Sequence, residues 1–160
     1  MSNLLVRPVQ LHRTGFNARR VSSDGWWRFK LMDLSLPVST LYIGLHGLFA
    51  VFLANFVLYI RLRSNKVPGW QPDSVLRVQA NFVENVPLAL LLLLLIEVQG
   101  APSEFVHVFG ASLFLFRLMH AYGLGTKEGA NYPRLIGAQG TFLIISIMSF
   151  VCVAIFFGFI

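Results

Sequence analysis

The sequence predicts an all-α integral membrane protein, an antiparallel bundle of four transmembrane helices. Hydrophobic residues make up 56% of the 160 residues, charged residues only 12%, and the mean hydropathy is +0.67. A soluble domain of this length needs more polar surface than this composition provides. The chain also contains four apolar stretches, each close to the ~20 residues that cross a hydrocarbon core. These stretches lack the alternation of apolar and polar residues that marks a membrane barrel.

The four stretches follow one another with short connections. They cover about residues 38–60, 74–98, 103–122 and 133–160. Because every backbone N–H and C=O must be satisfied internally within a bilayer, each stretch is expected to be a helix. Pro133 suits the first turn of the fourth, where its missing N–H costs nothing. Short connections make consecutive helices antiparallel, so the bundle is predicted to run up and down.

Basic residues in the loops predict how the bundle is oriented. The second loop and the C-terminus carry no basic residue, whereas the first and third loops carry Arg61, Arg63, Lys66, Lys127 and Arg134. Lys and Arg in short loops favour the cytoplasmic side. Loops one and three are therefore predicted to be cytoplasmic.

Residues 1–31 form a basic segment distinct from the predicted membrane domain, residues 32–160. Six basic residues stand against the single acid Asp24, a formal charge of +5, while the rest of the chain carries +1. In the orientation above this segment would be translocated, against the positive-inside rule. We therefore expect either that synthesis starts at Met32 or that the segment is a disordered tail. It lacks the apolar core of a signal peptide, and the nearly neutral body gives no indication of nucleic-acid binding.

Polar residues at the start of the second helix carry the clearest functional signal. Arg77, Asn81 and Glu84 are separated by four and three residues, which places them on one helical face, and Gln79 lies beside them. Ionisable groups are costly within lipid, so their presence in a span indicates a function or a buried partner.

The third and fourth helices carry polar residues at a matching depth. Arg117 and His120 are three residues apart, and Gln139 lies about two turns into the fourth helix. Antiparallel packing brings the end of the third helix and the starts of the second and fourth to the same side of the membrane. The polar side chains are expected to converge there as a site for a small zwitterionic or anionic ligand. Arginine binds carboxylates through paired hydrogen bonds, and Glu84 can bind an ammonium group.

A purely structural interpretation remains open beside the ligand site. Glu84 paired with Arg117 or Arg77 would fasten the helices together, with Asn81 and Gln139 as interhelical hydrogen-bonding groups. For the set as a whole, the ligand site is favoured, because charges within the membrane usually serve function.

Several other residues are interpreted as packing groups. His46 is expected to be a hydrogen-bonded packing residue, and Cys152 a small apolar one. No pair of histidines or cysteines has the spacing of metal ligands, so no metal site is predicted. Close helix contacts are predicted at Gly44, Gly47, Gly137 and Gly140.

Two segments resemble a known family. The run Arg77 to Pro87, R-V-Q-A-N-F-V-E-N-V-P, resembles the R-x-x-x-N-x-x-E-x-x-P signature of the MAPEG superfamily, the membrane-associated proteins in eicosanoid and glutathione metabolism. The segment Phe116 to Gly123, F-R-L-M-H-A-Y-G, resembles that family's third helix, where an arginine recurs. The resemblance covers residues 32–160 and is closest to small bacterial members. It implies a homotrimer in the bacterial inner membrane, with glutathione bound between protomers near the cytoplasmic face.

The resemblance also implies roles for individual residues. The glutathione contacts it implies are Arg77, Gln79, Asn81, Glu84, Arg117, His120 and, at the end of the first helix, Arg61. In the leukotriene-synthase type, an arginine early in helix four stabilises the glutathione thiolate. Gln139 aligns with it and is the candidate catalytic residue. A neutral amide can donate a hydrogen bond to a thiolate but supplies no positive charge.

Two functions remain in competition. The first is a glutathione transferase or peroxidase that acts on a lipophilic electrophile delivered by the bilayer. The alternative is a non-enzymatic lipid-binding or scaffold protein of the same fold, which Gln139 in place of arginine favours. A small transporter subunit is disfavoured, because the deep halves of the helices are almost wholly apolar.

Overall fold

Four long helices make up the part of the chain that the computed structural model describes, residues 37–63, 69–70, 72–126 and 129–159. The helices are α1 (Ser39–Leu62), α2 (Pro72–Val98), α3 (Ser103–Thr126) and α4 (Tyr132–Phe156). All four are long and apolar enough to cross a membrane. The predicted all-α bundle of four transmembrane helices is confirmed. The basic segment 1–31, with the proposed start at Met32, lies outside the described residues.

Helices α2 and α3 form the centre of the bundle. They pack against each other, and each also packs against both α1 and α4, whereas α1 and α4 do not touch within the described ranges. Most of the fully buried apolar side chains come from these central helices, for example Leu93 and Leu113. Two sides of the central pair are therefore covered by α1 and α4.

Hydrogen bonds between helix ends fix the antiparallel arrangement. Near the end of α2, the Glu97 carboxylate accepts the backbone N–H of Val38 and that of Ser39, the latter at 2.8 Å. A negative carboxylate at a helix N-terminus satisfies free N–H groups and interacts favourably with the helix dipole. One turn further, the Tyr42 hydroxyl lies 2.8 Å from Nδ1 of His107, in the second turn of α3. We call this side of the bundle the Glu97 end.

Two helix ends differ from the sequence-based expectation. The third helix was expected to stop at Tyr122, yet α3 continues to Thr126, because Gly123 and Gly125 allow the α4 backbone and the Trp70 ring to pack closely against it. The fourth was expected to reach residue 160, yet α4 ends at Phe156. Gly158 there has a φ of 69°, and its N–H donates to the Ile155 carbonyl, which closes the helix.

The packing residues behave partly as expected. Gly137 and Gly140 do lie against α3, where a Cβ would meet the backbone of His120 or the ring of Phe116. A Cβ added at Gly44 or Gly47 would meet nothing within 4 Å among the described residues, so the close helix contacts expected at these two positions are not found within one protomer. His46 is buried, and its Nδ1 lies 2.7 Å from the Tyr42 carbonyl oxygen, as expected of a hydrogen-bonded packing residue.

Candidate functional site

The centre of the candidate site is a buried arginine on α3. Arg117 is 2% exposed, and its Nη2 donates a hydrogen bond of 2.7 Å to Oδ1 of Asn81 on α2. The guanidinium carbon lies 5.7 Å from the centre of the Phe82 ring, which gives it a cation–π contact. Its Nε is buried and has no hydrogen-bond partner among the described residues. Within one protomer the charge is therefore held by a neutral amide and an aromatic ring.

His120 lies one turn beyond Arg117 on the same face of α3. Its Nδ1 is 3.1 Å from the backbone carbonyl oxygen of Arg134. Because a carbonyl oxygen only accepts, Nδ1 must carry the proton in this contact. Nε2 then presents a lone pair in the neutral ring, and it is buried without a partner among the described residues. The imidazole thus joins α3 to the first turn of α4.

The start of α4 is positioned by an asparagine cap. Asn131 Oδ1 accepts the backbone N–H of Arg134 at 3.0 Å, and Asn131 Nδ2 donates to the Gly123 carbonyl of α3 at 2.9 Å. Asparagine is a preferred N-cap because its side chain satisfies a free N–H of the first turn. The side chain of Arg134 donates from Nη1 to the Gly129 carbonyl oxygen at 3.0 Å. Arg134 is therefore fixed early in the fourth helix.

The fourth helix offers two candidates for the position of the family's arginine, Gln139 and Arg134. Gln139 was aligned with the family's arginine early in helix four, but its side chain is exposed and makes no hydrogen bond with a described residue. Arg134 lies in the first turn of α4, next to His120. The sequence analysis counted Arg134 among the basic residues of the third loop, although the predicted fourth stretch already included it. Asn131, two residues before Pro133, is a further signal for this helix start and supports Arg134 as a residue of the first turn.

The polar face of α2 is divided between the interior and the surface of the protomer. Asn81 turns inward to Arg117, and Gln79 is half-buried. Arg77 and Glu84 are exposed and make no hydrogen bond or ion pair with a described residue. Within the described part of one protomer, Glu84 therefore pairs with neither Arg117 nor Arg77, whereas the structural interpretation required one of these pairs.

The expected convergence of polar side chains is thus only partly realised within a single chain. The half-buried Asn81 and the buried Arg117 and His120 form a polar row that reaches the first turn of α4. The remaining predicted residues lie on the protomer surface, namely Arg61, Arg77, Glu84 and Gln139. Among the described residues, no group of three or more His, Cys, Asp or Glu side chains is arranged to hold a metal ion.

These features define a class of protein: a multi-pass membrane bundle with a basic polar site at the end of the bundle opposite Glu97. The model of the MAPEG family matches residues 39–154. The chain therefore belongs to the MAPEG family, as the motifs on α2 and α3 predicted.

Two curated bacterial relatives agree with this assignment. The chain is similar to the inner membrane protein YecN of Escherichia coli strain K12, with 34% identity over 90 residues, which cover 54% of this chain and 69% of YecN. YecN of Escherichia coli O6:H1 matches with the same identity and coverage. No solved structure matches the chain.

Proposed function

We propose that this protein binds glutathione in the bacterial inner membrane and transfers it to, or uses it to reduce, a lipophilic electrophile. The proposal rests on how the polar residues of α2 are oriented, some towards the interior of the protomer and some towards its surface. Asn81 is fixed on the buried Arg117, while Arg77 and Glu84 face outward from the same helix. Charged side chains on the surface of a transmembrane helix are costly in lipid, so a polar ligand or another protomer is expected to cover them.

The charges of the site match those of glutathione. The tripeptide carries two carboxylates, one ammonium group and a thiol. Arg77 is suited to bind a carboxylate, and Glu84 to bind the ammonium group. Gln79, Asn81 and the row formed by Arg117 and His120 complete the polar wall.

Arg134 is the residue we propose to stabilise the thiolate, with Gln139 as the alternative. A fixed positive charge favours the thiolate over the thiol, and the thiolate is the nucleophile. Arg134 is held by the Asn131 cap and by the Gly129 carbonyl, so it is already oriented before a ligand binds. A charged guanidinium, in place of the neutral amide of Gln139, would then stabilise the thiolate.

The proposed assembly is a homotrimer with glutathione between neighbouring protomers and with loops one and three in the cytoplasm. Cytosolic glutathione would then reach the site directly. The second substrate would enter from the bilayer, which concentrates lipophilic molecules beside the bundle.

Binding and turnover measurements on the purified full chain test the proposal. In isothermal titration in detergent, Arg77→Ala and Glu84→Ala are each expected to weaken glutathione binding about 30-fold, equivalent to ~2 kcal/mol for a lost charge pair. Glu104→Ala, an exposed acid at the Glu97 end, is the matched control and should leave binding unchanged.

The outcomes separate the competing functions. Absence of glutathione affinity, or equal affinity in all three variants, would refute the proposal. Glutathione binding without conjugation or peroxidase activity would instead support the scaffold function. Turnover that is lost in Arg134→Ala but kept in Gln139→Ala would identify Arg134 as the thiolate-stabilising residue.

A further inference from the structure

Helix α1 carries a row of near-parallel aromatic rings along one side. Phe49, Phe52, Phe56 and Tyr59 follow each other at intervals of three or four residues, so they lie above one another on the helix. Their ring centres are 6.3, 5.8 and 6.4 Å apart in that order, and consecutive ring planes differ by 16°, 8° and 14°. We call these four side chains the aromatic ladder.

The inner end of the aromatic ladder reaches the candidate site. Phe49 makes an edge-to-face contact with Phe82 at 5.4 Å, and the same Phe82 ring carries the Arg117 guanidinium at 5.7 Å. An unbroken series of ring contacts therefore joins the buried arginine to α1.

The outer end of the aromatic ladder is also polar. The Arg63 guanidinium carbon lies 5.5 Å from the centre of the Tyr59 ring, and Trp70 contacts Phe56 edge to face at 4.8 Å. Tryptophan and arginine at the end of a span are typical of the membrane–water interface. The ladder thus runs from the interface, where Arg63 lies against Tyr59, into the bundle, where the Phe82 ring separates its inner end from the buried Arg117.

The middle of the ladder faces outward from the protomer. Phe52 is 58% exposed and Tyr59 45% exposed, while Phe49 and Phe56 are half-buried. Phe150 on α4 is also exposed, at 75%, but makes no ring contact with a described residue. An isolated ring such as Phe150 offers lipid only apolar area, whereas the aligned faces of the ladder favour flat molecules.

We propose that the aromatic ladder binds the membrane-borne second substrate, and that this substrate is a planar, electron-poor conjugated molecule of the quinone type. The proposal rests on the glutathione function above. Aromatic faces carry negative partial charge, so they attract an electron-poor ring more than they attract an alkyl chain. Arg63 at the outer end can donate hydrogen bonds to a carbonyl oxygen of such a molecule.

Fluorescence of Trp70 provides a direct readout, because this residue touches the aromatic ladder. The other two tryptophans, Trp26 and Trp27, lie outside the described residues and are replaced by Phe in the test background. The full chain is placed in phosphatidylcholine nanodiscs and titrated with 2-methyl-1,4-naphthoquinone. Saturable quenching of Trp70 is expected.

Substitutions at Phe52 test the requirement for an aromatic ring. Phe52→Leu keeps an apolar side chain and is expected to weaken quinone binding about fivefold, within the range of aromatic pair energies. Phe52→Tyr should retain the affinity. Phe150→Leu, the matched exposed phenylalanine, should leave it unchanged. An aliphatic enal used as a competitor should displace the quinone poorly.

Three results would overturn the proposal: equal quinone affinity in wild type and Phe52→Leu, equal weakening of quinone binding in Phe150→Leu, or reversal of the Trp70 quenching by the enal at concentrations equal to those of the quinone. Glutathione titrations on the same samples separate the two proposals. If glutathione binds but the quinone affinity does not depend on Phe52, only the proposal that the aromatic ladder binds the second substrate is refuted. If the quinone affinity depends on Phe52 but glutathione does not bind, the glutathione function is refuted and the aromatic ladder is supported as a quinone-binding surface.

Discussion

At the scale of single residues, the choice of an amide as the partner of Arg117 has a functional consequence. A carboxylate at position 81 would neutralise the guanidinium within the protomer. Asn81 instead satisfies one N–H at 2.7 Å and leaves the positive charge in place. A buried charge of this kind attracts an anionic ligand, since its electrostatic interactions are weakly screened in a low-dielectric interior. In the proposed function, the Arg117–Asn81 pair thus keeps a positive charge for the anionic ligand, at some cost in stability.

Asn81→Leu is expected to lower the free energy of unfolding by about 2–3 kcal/mol, because a buried charged donor loses its hydrogen-bond acceptor. Asn85→Leu is the matched control, since Asn85 is on the same helix and bonds only the Asn81 backbone carbonyl; it should change stability by less than ~1 kcal/mol. Denaturant titration in detergent measures both. Equal effects of the two substitutions would contradict the role assigned to the Arg117–Asn81 bond.

Residue spacing predicted part of this site and could not predict the rest. The interval between Arg117 and His120 placed both on one helical face, and the structure has both buried. The same reasoning grouped Asn81 with Arg77 and Glu84, but a face about 100° wide spans both the interior and the protomer surface. Periodicity does not fix the rotation of a helix in its bundle, so it could not tell that only Asn81 turns inward.

At the scale of the helices, close contact between α3 and α4 holds the site in place. A Cβ on Gly137 would lie 2.5 Å from the backbone nitrogen of His120 and 2.5 Å from the carbonyl oxygen of Phe116. The absence of a side chain lets the two backbones approach, and this approach brings the Arg134 carbonyl to His120. The length of the apolar stretches was enough to predict where the membrane spans lie. Close contacts between helices depend on which residues lie opposite each glycine, and a single sequence does not reveal this, as Gly44 and Gly47 illustrate.

Gly137→Ala is expected to separate α3 from α4 and to destabilise the bundle by about 1–3 kcal/mol, the usual cost of overpacking. Gly44→Ala, at an open helical position, should be neutral or stabilising by up to ~1 kcal/mol. Thermal unfolding in detergent compares the two. In the Gly137 variant glutathione binding should also weaken, since His120 and the first turn of α4 shift apart. A Gly137 variant as stable as the Gly44 variant would show that the two helices accommodate a methyl group without moving.

At the scale of the whole molecule, the proposed glutathione site needs residues from more than one chain. Within the protomer, Arg117 and His120 on α3 are buried and Asn81 on α2 is half-buried, whereas Arg77 and Glu84 lie on the outer surface. Neither group alone provides a closed pocket for a charged tripeptide. A cyclic homotrimer repeats one interface three times, so each outward face of α2 would meet the same neighbouring surface.

Mixed assemblies test this arrangement. Glu84→Ala and Arg134→Ala each remove one side of the proposed interface, and each variant alone should lose high-affinity glutathione binding. Suppose that Glu84 of one protomer and Arg134 of the next share a site. An intact site then needs an Arg134→Ala chain, which supplies Glu84, followed by a Glu84→Ala chain, which supplies Arg134. Random co-assembly of equal amounts of the two variants is therefore expected to restore about a quarter of the sites. Glutathione bound per chain at saturation, measured on co-expressed and co-purified variants, gives this fraction. If both residues instead served one chain's own site, no intact site would form in any mixture, and the binding stoichiometry would stay at the level of the single variants.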